Sequence, residues 1–186
     1  MRKDIIAIFL IVLIVAVLIG GTDIQSVDEY YLTHIDDITP ESKTVTLSIR
    51  CDTILDNYED LDASLRSEEF VPGDGVILPP TKYVLREGDT VFDILDRATR
   101  FNKIQMEYQG ADRTGYGSVY IKGINNLYEF SCGPLSGWVY CIDGELQEVG
   151  CSKYTLSDGQ TVEFIYTCDL GRDIRVTSAA EGSDAK

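Results

Sequence analysis

The segment 82–101, KYVLREGDTVFDILDRATRF, constrains the fold more than any other stretch of this 186-residue chain. A short strand leads into a Gly88-Asp89 turn, and Thr90 and Asp93 have the spacing of a capping box, in which each side chain binds the other residue's backbone N–H. Apolar residues then recur at helical spacing along one stripe: Val91, Phe92, Ile94, Leu95 and Ala98. This pattern predicts a strand followed by an amphipathic helix of three turns over residues 90–100.

Extended segments lie on both sides of this helix. Residues 43–51, KTVTLSIRC, and 160–168, QTVEFIYTC, alternate between apolar and polar positions and predict half-buried strands. Shorter extended runs follow the helix at 104–108, 118–124, 127–130 and 138–142. The stretch 71–80, VPGDGVILPP, is crowded with Gly and Pro and predicts a loop, and residues 56–70 predict a polar excursion or a short helix.

The order of these elements predicts the fold class. Two strands, one helix and several further strands are typical of an α+β domain, in which one main helix covers one face of a mixed sheet. The β-grasp architecture fits this order best. In a β-grasp, the first and last strands run parallel and side by side.

The N-terminus predicts export from the cytoplasm. The run Ile5 to Ile19 holds only apolar residues and follows Arg2 and Lys3, which places the N-terminus inside and the rest outside. Its length lies between that of a signal peptide and that of a spanning helix, and we favour an uncleaved anchor over a cleaved signal. The expected organisation is an anchor at 1–21, a tether at 22–42, one domain at 43–177 and a frayed tail at 178–186. The chain is then a single-pass membrane protein with its domain outside the cell.

Composition excludes several functions. Sixteen Lys and Arg against 31 Asp and Glu give a net charge of −15, which repels nucleic acid. The only histidine, His34, lies in the tether, so the domain has no histidine for a catalytic triad, and we expect no enzyme. The acidic turns at 72–75 and 168–173 do not match a calcium loop, so we expect no metal site.

Five cysteines in an exported domain predict two disulfides and one free thiol. Cys51 and Cys168 end the predicted first and last strands and are candidates for one bridge. Cys132 and Cys151 lie in glycine-flanked loops and are candidates for the other, which leaves Cys141 free. The alternative is that some of these residues are buried, reduced and apolar in character, above all Cys51 and Cys168.

Three segments carry a resemblance to a known family: LREGDTVFDILDRA, GWVYCIDGE and YTLSDGQTVEFIYTCDLGRD. They resemble a bacterial family of secreted domains of unknown function, which is itself similar to the C-terminal β-domain of transcobalamin and intrinsic factor. The most specific piece is Tyr154-x-Leu-x-Asp158-Gly159-x-Thr161-Val162-Glu163 after the strand of Trp138. The resemblance implies a β-grasp-type fold and a capacity to hold a small ligand, of which a corrinoid is the candidate. We expect no companion α-barrel domain of the kind that clamps cobalamin in that family.

The lone tryptophan, Trp138, has two interpretations. It is a core residue, or it is partly exposed and lines a groove. We favour the second, because the glycines before it let a ligand approach the backbone. On this interpretation Val139 and Cys141 lie beneath the helix, and Trp138 and Tyr140 lie on the open face or its rim. The predicted ligand site then consists of Ser136, Trp138, Tyr140, Asp158 and Gly159.

Two functions follow from this site. The chain is a membrane-anchored extracellular module that binds a small ligand such as a corrinoid, or it is a structural or protein-interaction domain of the cell envelope. A groove with exposed aromatic residues favours the first function. A long uncovered strand edge with Trp138 buried favours the second.

Overall fold

The computed structural model describes residues 38–115 and 117–174. The predicted anchor at 1–21, most of the tether and the tail at 178–186 lie outside the described residues, and the domain boundaries stay predictions. None of the helices within 38–115 and 117–174 has the length and apolar character needed to cross a membrane.

The described residues form an α+β structure, as predicted. The elements are β1 (Thr44–Arg50), β2 (Val76–Val84), α1 (Val91–Phe101), β3 (Met106–Gln109), β4 (Tyr120–Ile124), β5 (Leu127–Tyr128), β6 (Gly137–Ile142), β7 (Glu145–Leu146) and β8 (Thr161–Thr167). Short 3-10 helices span Asp52–Asp60 and Ala63–Leu65. The polar stretch after β1 is therefore helical for part of its length.

The main sheet has five strands in the order β2-β1-β8-β6-β7. β1 and β8 pair in parallel, with Leu47 opposite Val162 and Ile49 opposite Phe164, and the other neighbours pair antiparallel. The predicted parallel pairing of the first and last strands is confirmed for the described part of the chain. A second, three-stranded sheet has the order β3-β4-β5.

Helix α1 begins as the sequence predicts. The Thr90 side chain accepts the Asp93 N–H and the Asp93 carboxylate accepts the Thr90 N–H, so the capping box is present. The apolar stripe is buried against the main sheet, with Val91, Leu95 and Ala98 at 0% exposure. The covering helix is therefore held by its own N-terminal cap and by the core.

One predicted loop is wrong. Residues Val76 to Pro80, expected to be a loop, form the first half of β2. Pro79 and Pro80 are tolerated because β2 lies at the edge of the main sheet, where an amide N–H is not needed for a further strand. The pairing with β1 shifts register at this point, between Leu47 and Ile49.

The interior divides into two apolar clusters. The first lies between α1 and the main sheet and includes Leu47, Leu95 and Phe164. The second lies at the ends of β1 and β8, under the Asp52–Asp60 helix. Its buried members are Cys51, Ile54, Leu61, Val71, Leu127, Cys132 and Tyr166. We call them the helix cluster and the cysteine cluster.

Candidate functional site

Trp138 joins the two clusters. Its half-buried ring packs against both of them and meets the Tyr166 ring edge to face, with the ring centres 5.3 Å apart. The indole N–H donates to the Leu127 carbonyl at 2.7 Å, so the polar atom of the ring already has a partner. Trp138 is partly exposed as expected, but its contacts belong to the core.

Tyr140 is not at the open rim, and this prediction is wrong. It is 6% exposed, its ring stacks on Phe164 with the centres 5.7 Å apart, and it belongs to the helix cluster. Its hydroxyl donates to the Val149 carbonyl, and burial raises the pKa of this hydroxyl to about 12. The face of Trp138 and Tyr140 therefore lies beneath α1, and the face of Val139 and Cys141 points away from it.

The Ser136 hydroxyl already has hydrogen-bond partners within the protein. A hydroxyl offers one donor and two acceptor positions. The Ser136 hydroxyl donates to the Gly133 carbonyl and accepts from the Cys132 N–H and the Tyr166 hydroxyl, and the residue is 4% exposed. The serine fixes the chain between β5 and β6.

Asp158 and Gly159 form an exposed turn that holds the start of β1. The Asp158 carboxylate accepts the Thr44 N–H, and the Gly159 N–H donates to the Thr44 carbonyl, both at 2.8 Å. Asp158 also lines a polar groove of about 600 Å³, whose lining residues are Lys43, Leu85, Arg86, Glu87, Gly88, Leu156, Ser157 and Asp158. Ser136, Trp138 and Tyr140 do not line this groove, so the structure does not bring the five predicted residues together. Their part in ligand binding stays a prediction.

A second groove, of about 650 Å³, opens between the Ala63–Leu65 helix and the β4–β5 hairpin. Its lining residues are Asp62, Ser64, Leu65, Phe70, Asn126, Tyr128, Glu129, Phe130 and Ser131. We call it the Phe130 groove. It lies next to Trp138, because the indole N–H binds the carbonyl of Leu127, between two lining residues. None of its lining residues belongs to the ligand site predicted from the sequence.

Phe130 is the unusual residue of the groove. Its side chain is 63% exposed, and its φ of +69° lies in the left-handed region. The Ser131 N–H donates to the Tyr128 carbonyl, so Phe130 is the third residue of a tight turn, a position with positive φ that normally takes glycine. Such a backbone costs about 1–3 kcal/mol, and strain of this kind collects at functional sites.

The rest of the groove is rigid and acidic. The side-chain amide of Asn125 donates to the carbonyls of Glu69 and Phe70, which fixes one wall against the hairpin. The Tyr120 hydroxyl donates to Glu129 at 2.6 Å. Burial and this carboxylate raise the pKa of Tyr120 to about 12. With Asp62 and Glu129, the groove combines apolar rings with carboxylates.

The five cysteines are all free, so neither predicted bridge is present. Cys51 and Cys168 are not directly opposite each other in the sheet. In the parallel pairing of β1 and β8, Arg50 lies opposite Ile165, so Cys51 is level with Tyr166, which is two residues before Cys168. Cys132 and Cys151 lie in different clusters, the cysteine cluster and the helix cluster. Cys141 is free and buried. Among the described residues, no group of three or more His, Cys, Asp or Glu side chains is placed to hold a metal ion.

The fold and the grooves define an α+β domain with a mixed sheet and one main covering helix. Residues 88–167 match the profile of a family described as "Domain of unknown function (DUF4430)". This match confirms the resemblance to a family of domains of unknown function over these residues.

Two solved structures are similar to part of this chain. One is haptocorrin in complex with Cbi, with 15% identity and a TM-score of 0.45 over 73% of this chain. The chain spans 27% of the length of haptocorrin. The other, from Ruminococcus gnavus ATCC 29149, is described as a "putative metal binding protein", with 14% identity, a TM-score of 0.42, and coverage of 67% of this chain and 96% of that one. No curated protein matches the chain. Neither structural likeness identifies a ligand of this chain.

Proposed function

We propose that this chain is a binding module that holds a flat, amphipathic small molecule in the Phe130 groove, and that a corrinoid is the first ligand to test. The observation that carries the proposal is the Phe130 side chain, which is largely exposed on a strained backbone. The described residues leave this ring largely uncovered, and a bound partner would cover it. Covering a large apolar side chain contributes about 1.5–3 kcal/mol.

The chemistry of the groove narrows the class of ligand. Leu65, Phe70 and Phe130 supply apolar surface, while Asp62 and Glu129 supply negative charge and hydrogen-bond acceptors. The net charge of −15 also disfavours an anionic ligand. A flat molecule that carries amide N–H donors or positive charge at its edge fits these properties. A corrinoid, with amide groups around a flat macrocycle, belongs to this class.

The proposal also includes a β-grasp-like fold and a membrane anchor at the N-terminus. The order β2-β1-β8-β6, with β1 and β8 parallel at its centre, supports a β-grasp-like assignment. The apolar run at 5–19 after Arg2 and Lys3 supports an anchor that holds the domain outside the membrane. The module then captures its ligand at the cell surface and is not an enzyme.

The alternative is a structural or protein-interaction domain of the envelope that adds a partner's strand to a sheet edge. In the described part of the main sheet, one edge strand, β2, carries Pro79 and Pro80, and the other, β7, has two residues. Proline interrupts the ladder of hydrogen bonds that strand addition requires. The exposed aromatic groove and these interrupted edges favour the binding module.

Calorimetric titration of the full-length protein with dicyanocobinamide and with cyanocobalamin tests the proposal. Trp138 supplies a second signal by fluorescence, since it is the only tryptophan and touches the groove through Leu127. We expect saturable binding that Phe130→Ala weakens at least tenfold. Leu170→Ala is the matched control, because Leu170 is also 63% exposed and does not line the groove. If neither corrinoid binds, a corrinoid is not the ligand. If the wild type and Phe130→Ala bind with equal affinity, the Phe130 groove is not the binding site.

A further inference from the structure

Two thiols meet in the cysteine cluster although they are far apart in sequence. Cys132 lies between β5 and β6, and Cys168 directly follows β8. A hydrogen bond between Cys132 and Cys168 contributes to the pKa of both thiols, and Cys168 packs against the cysteine cluster in which Cys132 is buried. Each of them belongs to a different one of the two bridges predicted from the sequence.

The Asp52–Asp60 helix holds both thiols in place. The Cys132 sulfur also lies 3.4 Å from the Asn57 carbonyl, and the Cys168 sulfur lies 3.9 Å from the Thr53 hydroxyl. The Asn57 amide donates to the Thr53 carbonyl at 2.8 Å, which links the two contacts across the kink at Asn57. Both thiols therefore contact the same short segment.

We propose that Cys132 and Cys168 are a redox-sensitive dithiol that closes to a disulfide by exchange with an organic disulfide. The two sulfurs need to approach to about 2.05 Å to bond. Cys168 is partly exposed and Cys132 is 2% exposed, so the external disulfide reaches Cys168 first. The proposal does not depend on the Phe130 groove or on its ligand.

The exchange takes place in two steps. The Cys168 thiolate attacks one sulfur of R–S–S–R, a mixed disulfide forms, and one RS⁻ leaves with the bonding electron pair. Cys132 then loses its proton to the departed thiolate, its sulfur attacks the Cys168 sulfur, and the second RS⁻ leaves and takes up the Cys168 proton released to solvent. In sum, the two cysteines lose two electrons and two protons, and R–S–S–R is reduced to two RSH.

The charges around the pair support this order of attack. The hydrogen bond from Cys132 lowers the pKa of Cys168 below its usual 9.0, although burial and the carboxylates of Asp173 and Asp60 oppose the shift. The same hydrogen bond, together with burial, raises the pKa of Cys132. Cys168 is thus the attacking thiolate and Cys132 the resolving thiol.

Cys51, the third cysteine of the cluster, is a poor competitor. It is 0% exposed, and burial together with Asp52 and Asp74 raises the pKa of its thiol to about 12. A thiol with no exposed surface is not reached by an external disulfide, and it is Cys132 that is hydrogen-bonded to Cys168. The structure therefore favours Cys132 over Cys51 as the partner of Cys168.

The test is exchange of the reduced full-length protein with glutathione disulfide, followed by acid quenching, alkylation and mass spectrometry of the peptides. We expect a peptide pair linked through Cys132 and Cys168. Since the bridge closes a loop of about 35 residues, we also expect the oxidised protein to melt roughly 10 °C higher than the reduced one. A Cys51–Cys168 or Cys132–Cys151 link, or five unmodified thiols, overturns the proposal.

Single variants separate the two roles. Cys132→Ser should accumulate glutathione on Cys168, and Cys168→Ser should form no bridge. Cys141→Ser is the matched control, because Cys141 is equally buried but lies outside the cysteine cluster, and it should form the bridge at the wild-type rate. If a serine variant does not fold, as circular dichroism will show, the wild-type peptide map and the order in which its mixed disulfide and bridge appear decide the question. A bridge that forms without prior modification of Cys168 contradicts the assigned roles.

Discussion

The helix cluster and the region around the Phe130 turn follow different rules. In the helix cluster each local pattern agrees with the fold, since Thr90 and Asp93 cap α1 and Leu95 points into the core. In the segment 125–130, Asn125, Asn126 and Phe130 all adopt positive φ, and Phe130 exposes its ring. The first region is built for stability. The second keeps strain and exposed apolar surface, which is where binding sites are expected.

The hairpins show the same contrast on a smaller scale. β6 and β7 are joined by Asp143-Gly144, with φ of +51° and +83°, a favoured sequence for a turn with two left-handed residues. β4 and β5 are joined by Asn125-Asn126, with φ of +52° and +63°, where the second residue has a side chain that faces the Phe130 groove. The turn near the groove is therefore less favourable than the turn at the far edge of the main sheet.

The largest effect is expected in the helix cluster. Leu95→Asp places an unpaired carboxylate at a position with 0% exposure and should lower the free energy of unfolding by more than about 4 kcal/mol, which is enough to unfold the domain. Circular dichroism of the full-length protein measures this loss. Phe101→Asp, on the same helix at 41% exposure, is the control and should keep the fold. A folded Leu95→Asp protein would mean that α1 does not cover the core.

Trp138→Phe tests whether the two clusters unfold together. The change removes the hydrogen bond to the Leu127 carbonyl and part of the ring that touches both clusters, and should cost about 2 kcal/mol. Urea unfolding followed by circular dichroism should keep one transition with a lower midpoint. Tyr154→Phe, which removes one half-buried bond from Gln160, should cost less than about 1 kcal/mol. Two transitions in Trp138→Phe would show that the clusters are coupled only through this ring.

The smallest of the three effects concerns the turn near the groove. Asn126→Gly removes the cost of a left-handed side chain and should raise the free energy of unfolding by about 0.5 kcal/mol. Asn125→Gly should instead lower it by about 1 kcal/mol, because the Asn125 side chain donates to the carbonyls of Glu69 and Phe70. Chemical unfolding of both variants measures the difference. Equal effects would contradict the account of this turn.

The sequence predicted those parts of the fold that local rules determine. The capping box of α1, the alternation of β1 and β8 and the Asp143-Gly144 turn are contained in a few neighbouring residues. The sequence did not determine which face of β6 lies beneath α1. Tyr140 and Cys141 are on opposite faces, and both are apolar enough to be buried. Pro79 and Pro80 suggested a loop, because proline is tolerated in a strand only at the edge of a sheet. Whether β2 is an edge strand depends on the tertiary structure and has no local signal.

The site was less predictable than the fold. Cysteine pairing depends on the paths of the loops that bring Cys132 to Cys168, and these paths have no local signal. The Phe130 turn lacks the glycine that would mark it in the sequence. The predicted site at Trp138 lies next to the Phe130 groove, since the indole N–H binds the Leu127 carbonyl, but the polar atoms of Trp138 and Ser136 are already bound within the protein. The part of these residues in ligand binding stays a prediction.

The most direct test of the central claim compares Phe130→Gly with Phe130→Ala in the full-length protein. Both variants lack the exposed ring, but only glycine relieves the backbone at φ +69°. We predict that both bind dicyanocobinamide at least tenfold more weakly than the wild type, and that Phe130→Gly is about 1 kcal/mol more stable to urea than Phe130→Ala. Wild-type affinity in both variants, or a loss of stability on relief of the strained backbone, would contradict the claim that Phe130 is held in this conformation for binding.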